Sequence, residues 1–193
     1  MSIDNIKKAL KESADLKLLV AEKLSEKINQ AAITLSSALA KGSKAMFCGN
    51  GGSAADSQHL ATELVVRLTA ERERRALPAI TLTTNSSILT ACANDFGFEH
   101  IFSRQVEALG NSGDILFAIS TSGNSNNVIR AVETAKEKGV YTIGMLGGDG
   151  GRLGSLVDSP LIVPSNDTQR IQEAHIAIGH IIIETTEREL FGS

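Results

Sequence analysis

The chain has 193 residues, 42% hydrophobic and 21% charged, with a formal net charge of −3. This balance excludes a disordered, collagenous or rod-like coiled-coil architecture. The acidic sign and 4% aromatic content, with no Trp and one Tyr, speak against a nucleic-acid partner.

The first forty residues carry a helical stripe. Ile3, Ile6, Leu10, Leu16, Leu19, Val20, Leu24, Ile28, Ala31, Ala32, Leu35 and Leu39 recur mostly at three- and four-residue steps. The pattern predicts two helices within 1–42, broken near Ser13 or Asp15 and stopped by Gly42 as a C′ glycine. An apolar stripe ahead of the first strand must dock on something, and helical contacts between subunits are expected. The charges around Lys7, Lys8 and Lys11 fall where a signal peptide needs an apolar core, so a cytoplasmic protein is expected. No run approaches 18 apolar residues, so no membrane span is expected.

From Lys44 the texture changes, and 43–193 is expected to form the body of a one-domain chain spanning 1–193. Strands are predicted at Lys44–Cys48, Ala79–Thr83, Asp114–Ile119, Val140–Leu146 and Leu161–Val163. Helices are predicted at about Ser53–Leu68, Ser86–Ala93, Phe98–Leu109, Asn126–Lys138 and Gln169–Leu190. Strands alternating with helices imply a parallel sheet covered on both faces, which accounts for the continuously apolar runs AMFC and ILFAI. Cys48 and Cys92 sit in apolar runs without a metal-site spacing and are expected to be reduced core residues. The charge run Glu71–Arg75 is expected to be a solvated loop or helix end.

In an open parallel sheet, ligands bind beyond the carboxyl ends of the strands. Two strand ends here lead into unusual loops, Cys48–Ser53 (CGNGGS) and Ile119–Ser125 (ISTSGNS), each opening a helix. Glycines let backbone N–H groups approach a ligand, helix N-termini favour anions, and Ser and Thr add donors. Two such loops on one sheet edge point to a phosphorylated small molecule. The stretch Gly49-x-Gly51-x-x-Ala54 fits the dinucleotide fingerprint, but the next strand ends in Thr83-Thr84-Asn85, with no acidic residue for a ribose, so NAD is disfavoured. There is no P-loop signature, and no organic cofactor is expected. His59 and Glu63, one turn apart on a helix, can share a metal, form an acid/base pair, or simply be solvated. On the last helix, Gln172, Glu173, His175 and His180 lie among isoleucines, where a histidine is more often a hydrogen-bonded core residue.

The segments CGNGGSAADSQHLATEL, ANDFGFEHIFSRQVEALG, ISTSGNSNNVIRAVE and RIQEAHIAIGH resemble the sugar isomerase (SIS) domain proteins, most specifically the phosphoheptose isomerases. The likeness covers nearly the whole chain. It implies a three-layer, flavodoxin-like α/β fold and a homotetramer with active sites at subunit interfaces. It also implies one zinc ion per subunit. The reaction it implies is conversion of D-sedoheptulose 7-phosphate to D-glycero-D-manno-heptose 7-phosphate, the first step of heptose supply for bacterial lipopolysaccharide. Carried over by position, Glu63 matches the catalytic base and His180 the catalytic acid. His59, Glu63, Gln172 and His180 match the metal ligands. Gly51, Gly52, Ser53, Glu63, Asn94, Asp95, Ser120, Thr121, Ser122, Ser125 and Gln172 match the substrate contacts. The chain departs from the resemblance at Val66-Arg67-Leu68, where the family commonly has Gly-Arg followed by an aromatic residue.

Gln172 and His180 are eight residues apart, about 12 Å along one helix. Two such groups of one rigid helix can hardly touch one ion, so either a neighbouring subunit completes the centre or Gln172 is a looser substrate contact. A similar class of SIS-domain proteins acts as non-catalytic adaptors that bind the replication initiator. Those lack the counterparts of Glu63 and His180, which are both present here. A sugar-phosphate sensor would need room for a DNA-binding domain.

Overall fold

The computed structural model describes residues 3–192. The elements are α1 (Ile3–Ala40), β1 (Ala45–Gly49), α2 (Gly52–Val65), β2 (Ala79–Thr81) and α3 (Ser86–Phe96). A 3₁₀ turn (Phe98–His100) leads to α4 (Ser103–Leu109), β3 (Ile115–Ser120), α5 (Asn126–Glu137) and β4 (Tyr141–Gly147). The chain ends with α6 (Gly151–Leu156), β5 (Ser159–Val163) and α7 (Thr168–Phe191). All strand pairs are parallel, in the order β2-β1-β3-β4-β5. This is the flavodoxin-like order, and its switch point lies between β1 and β3.

The central strands β1 and β3 are buried along their whole length, as their unbroken apolar runs require. Alternate residues feed two separate cores. Phe47 and Phe117 face the layer of α1, α2 and α7. They are register partners, and their rings stack with centroids 4.7 Å apart. Met46, Cys48, Leu116 and Ala118 face the layer of α3 to α6. Both cysteines are buried free thiols, and burial pushes the Cys48 thiol up to about 12.

Three expectations need correction. The N-terminal segment is one 38-residue helix, not two. No Gly or Pro interrupts it, and Ser13, expected near a break, is buried and accepts from Lys17 Nζ at 3.0 Å. The stretch Phe98–Leu109 is a 3₁₀ turn followed by a short helix, and the six-residue α6 was not expected at all. The Glu71–Arg75 run is not wholly solvated. The Arg74 side chain is 0% exposed and pairs with the buried Glu187 of α7.

The expected stop at Gly42 holds, with φ at +86° in the region that favours glycine. From Ser13 onward α1 packs along α7, but Ile3, Ile6, Leu10 and Leu18 remain more than half exposed. Among the described residues no helix is long and apolar enough to cross a membrane.

Candidate active site

The two glycine-rich loops meet at the switch point. Asn50 of the first loop and Asn127 of α5 exchange reciprocal amide hydrogen bonds at 2.9 and 2.8 Å. Gly51 starts α2 with φ at +53°, and no side chain caps that helix. Ser125 likewise makes no side-chain cap at the start of α5, and among the described residues the N–H groups of Gly52 and Ser53, and of Asn126 and Asn127, have no partner, which suits an anion. The Ser120 hydroxyl lies 3.0 Å from that of Ser125 and 3.5 Å from that of Ser122. Gly123 holds the turn open. At φ +64°, a Cβ there would sit 1.9 Å from the Gly150 carbonyl oxygen. Thr121 and Ser122 also line a cavity of about 490 Å³ with Asp149, Asn166 and Thr168. The Asn50–Asn127 pair thus ties the starts of α2 and α5 to one edge of the sheet.

A second constellation lies between α2 and α7. His59 and Glu63 share one face of α2, as i, i+4 spacing requires. His180 of α7 meets them. The Nε2 atoms of His59 and His180 are 2.7 Å apart, and His59 Nε2 lies 3.3 Å from Glu63 Oε1. One atom from each of the three residues falls within 4.8 Å of the others. Burial, assisted by the positive potential of His59 and opposed by Glu63, lowers the pKa of His180, favouring its neutral imidazole. The close approach of the two helices rests on Gly179, whose absent Cβ would lie 2.5 Å from Leu60 Cδ2.

Two imidazole nitrogens and a carboxylate oxygen within one small volume suit a divalent ion, in the ligand class that catalytic zinc sites use with an open position. Gln172 does not join them along its own helix. Its amide instead lies against Gly52, where a Cβ would be 2.1 Å from Nε2.

Other site expectations separate. Ser53 is buried at the start of α2, and Gly51 and Gly52 are exposed beside it. Asn94 and Asp95 are exposed at the end of α3 and bond to each other at 2.8 Å. Asp95 lines a cavity with Cys92, Phe96 and Arg104 that shares no lining residue with the Thr121–Ser122 cavity. His175 is a core residue, 0% exposed, with Nε2 3.0 Å from the Leu146 carbonyl oxygen. Burial pushes its pKa down to about 4.

Asp56 was missed in the sequence, although it precedes His59 by three residues and Glu63 by seven and so shares their face. Its carboxylate is buried, lines a small cavity with Gln169, Gln172 and Glu173, and leaves Oδ2 without a partner among the described residues. Burial pushes it up to about 6, against the opposing influence of His59.

A flavodoxin-like sheet with a Ser/Thr/Gly cradle at the switch point and a His/Glu/His cluster beside it defines a SIS domain. The SIS domain family model matches residues 10–147. The chain is 50% identical over 190 residues to the phosphoheptose isomerase of Geotalea daltonii, covering 98% of each. Solved phosphoheptose isomerase structures superimpose closely. That from Francisella tularensis gives a TM-score of 0.93 at 39% identity, over 97% of this chain and 99% of that one. That from Neisseria gonorrhoeae gives 0.89 at 42% identity, over 95% and 97%. The chain belongs to the phosphoheptose isomerases of the SIS domain family.

Proposed function

We propose that the chain interconverts D-sedoheptulose 7-phosphate and D-glycero-D-manno-heptose 7-phosphate through an enediol. The observation that carries this reading is the convergence of Glu63 and His180, 117 positions apart in the chain, in one cluster with His59. A ketose becomes an aldose by losing a proton at C1 and gaining one at C2. The Glu63 carboxylate, 15% exposed, takes the C1 proton and returns one to C2. The His180 imidazole gives a proton to O2 and accepts one from O1. Each well-placed acid or base contributes about 10²–10⁴-fold. The Ser120–Ser125 cradle and the start of α5 hold the phosphate, and Gly51, Gly52, Ser53, Asn94, Asp95 and Gln172 contact the sugar.

His59, Glu63 and His180 would hold one zinc ion, with Gln172 of a neighbouring copy as a further ligand. When bound, the ion supplies Lewis-acid polarisation of the substrate oxygens. No organic cofactor enters the reaction.

We also propose a homotetramer with active sites between subunits, in a cytoplasmic enzyme that supplies heptose for lipopolysaccharide. Two features support the shared site. Glu63 lies ten residues beyond Ser53, about 15 Å along α2. The extended carbon chain of a seven-carbon sugar spans only about 9 Å, at about 1.5 Å per bond, shorter than the separation of these two sugar contacts along one helix. In addition, Ile3, Ile6 and Leu10 stand exposed on α1, and an apolar groove between α1 and α7 is lined by Val20, Ile28, Ile178 and Ile181.

The test is direct. The chain incubated with sedoheptulose 7-phosphate should yield the aldose phosphate, and Glu63→Gln should abolish turnover with the fold and assembly intact. Wild-type turnover in Glu63→Gln would end the base assignment.

A further inference from the structure

The two helices of the catalytic cluster are joined a second time, beyond the cluster, by one buried guanidinium. Arg74 follows α2 in the connection to β2, and its side chain is 0% exposed. A guanidinium has five N–H donors in a fixed fork. Here four of them make hydrogen bonds, and an ion-pair contact is added to these. Nη2 donates to the Glu63 carbonyl oxygen at 2.7 Å, and Nη1 donates to those of Leu64 at 3.0 Å and Arg75 at 2.9 Å. Nε and Nη2 both lie 2.6 Å from Oε1 of Glu187, itself 3% exposed at its side chain. The carbonyls of Glu63 and Leu64 belong to the last turn of α2, where no intrahelical partner exists. Positive charge is also favoured at that end of a helix.

The partners are what give this arrangement meaning. One of the capped carbonyls belongs to Glu63 itself. Glu187 lies seven residues after His180 on α7, two turns along nearly the same face. Arg74 thus grips the backbone of the residue that bears the base and the helix that bears the acid.

We propose that Arg74 is a positioning residue, which with Glu187 sets the register of α2 against α7 and so the distance between Glu63 and His180. The proposal rests on the assignment of Glu63 and His180 as the acid/base pair. Lysine cannot replace the fork, because one ammonium cannot bind three carbonyls and a carboxylate in that plane.

The experiment separates positioning from stability. The double variant Arg74→Met/Glu187→Leu removes the clamp but fills its space with apolar side chains, an exchange often neutral or stabilising for a buried ion pair. Arg74→Lys keeps both charges buried and removes only the fork. Both are compared with wild type for Tm, for kcat and KM on sedoheptulose 7-phosphate, and for the Glu63→Gln control. Because the Glu63 and Arg75 carbonyls lose this donor, the expected result is a modestly lower melting temperature in the double variant, with kcat, measured well below that transition, lower by about 10–100-fold and KM changed less than threefold. A displacement of about 1 Å at a catalytic group produces losses of this order. Arg74→Lys should show the same split. Wild-type kcat in either folded variant overturns the proposal, and so does a loss of kcat that returns in full once stability is restored. If instead Glu63→Gln retains wild-type turnover, the acid/base assignment has failed, whatever Arg74 does.

Discussion

Adding one methyl group to Gly179 should separate stability from activity. Gly179 precedes His180 on α7 and faces Leu60 of α2, which is 1% exposed and hemmed in by the core. An alanine Cβ would stand 2.5 Å from Leu60 Cδ2 and 2.7 Å from Cδ1, against 3.4–4 Å for ordinary contact. The helices must therefore part by about 1 Å, or Leu60 must leave its rotamer. Overpacking of this kind destabilises by about 1–3 kcal/mol. Replacing glycine by alanine inside a helix returns about 1 kcal/mol. The net destabilisation is about 1 kcal/mol, a fall of about 2–4 °C in Tm for a chain of this length. The same shift moves His180 from Glu63 and His59 and should lower kcat by about 10–100-fold. Thermal melts and steady-state kinetics on Gly179→Ala read both quantities. A raised Tm with unchanged kcat would show that the helix contact at Leu60 does not set the catalytic geometry.

The remaining expectations are briefer. His175 has a folded pKa of about 4 against 6.5 when unfolded, so its contribution to stability is complete above pH 6.5 and is lost as pH falls toward 4. At about 1.4 kcal/mol per pH unit, this predicts a loss of about 2 kcal/mol between pH 6.5 and 5, absent in His175→Gln; superimposable pH profiles of unfolding free energy would refute it. Ser122→Ala and Ser125→Ala should each raise KM by about tenfold with kcat little changed, the mark of lost uniform binding at the phosphate; an equal fall in kcat would place these hydroxyls in the chemistry instead. Zinc added to chelator-treated chain should raise Tm, and His59→Ala or His180→Ala should remove the shift; an unaltered shift in both variants would move the metal elsewhere.

Much of this was legible beforehand because it is local. The runs AMFC and ILFAI announced buried central strands, and the Gly/Ser loops announced ligand-ready helix starts. That His59 and Glu63 share one face of α2 followed from spacing, while their roles came from resemblance. The union of His180 with them was not in the periodicity. It came from resemblance, and the fold explains it through the α2–α7 contact at Gly179.

What stayed hidden depends on distant partners. Arg74 lay in a run that reads as solvated, and its acceptor Glu187 is 113 residues away. Ser13 read as a helix break because a polar residue in an apolar stripe looks the same whether it caps a helix or lies buried within one. The short α6 has two glycines in six residues and too few turns to show a period. Asn127 differs in no local way from any polar residue in a helix's first turn. Only the fold brings Asn50 to it.

The central claim is that Glu63 moves a carbon-bound proton of a ketose phosphate, and isotope exchange reads that step without relying on net turnover. In D₂O with sedoheptulose 7-phosphate, NMR should show the wild-type chain forming the aldose phosphate with deuterium entering at C2. Glu63→Gln, folded and assembled, should leave both sugars undeuterated. Deuterium incorporation by Glu63→Gln at the wild-type rate would contradict the account.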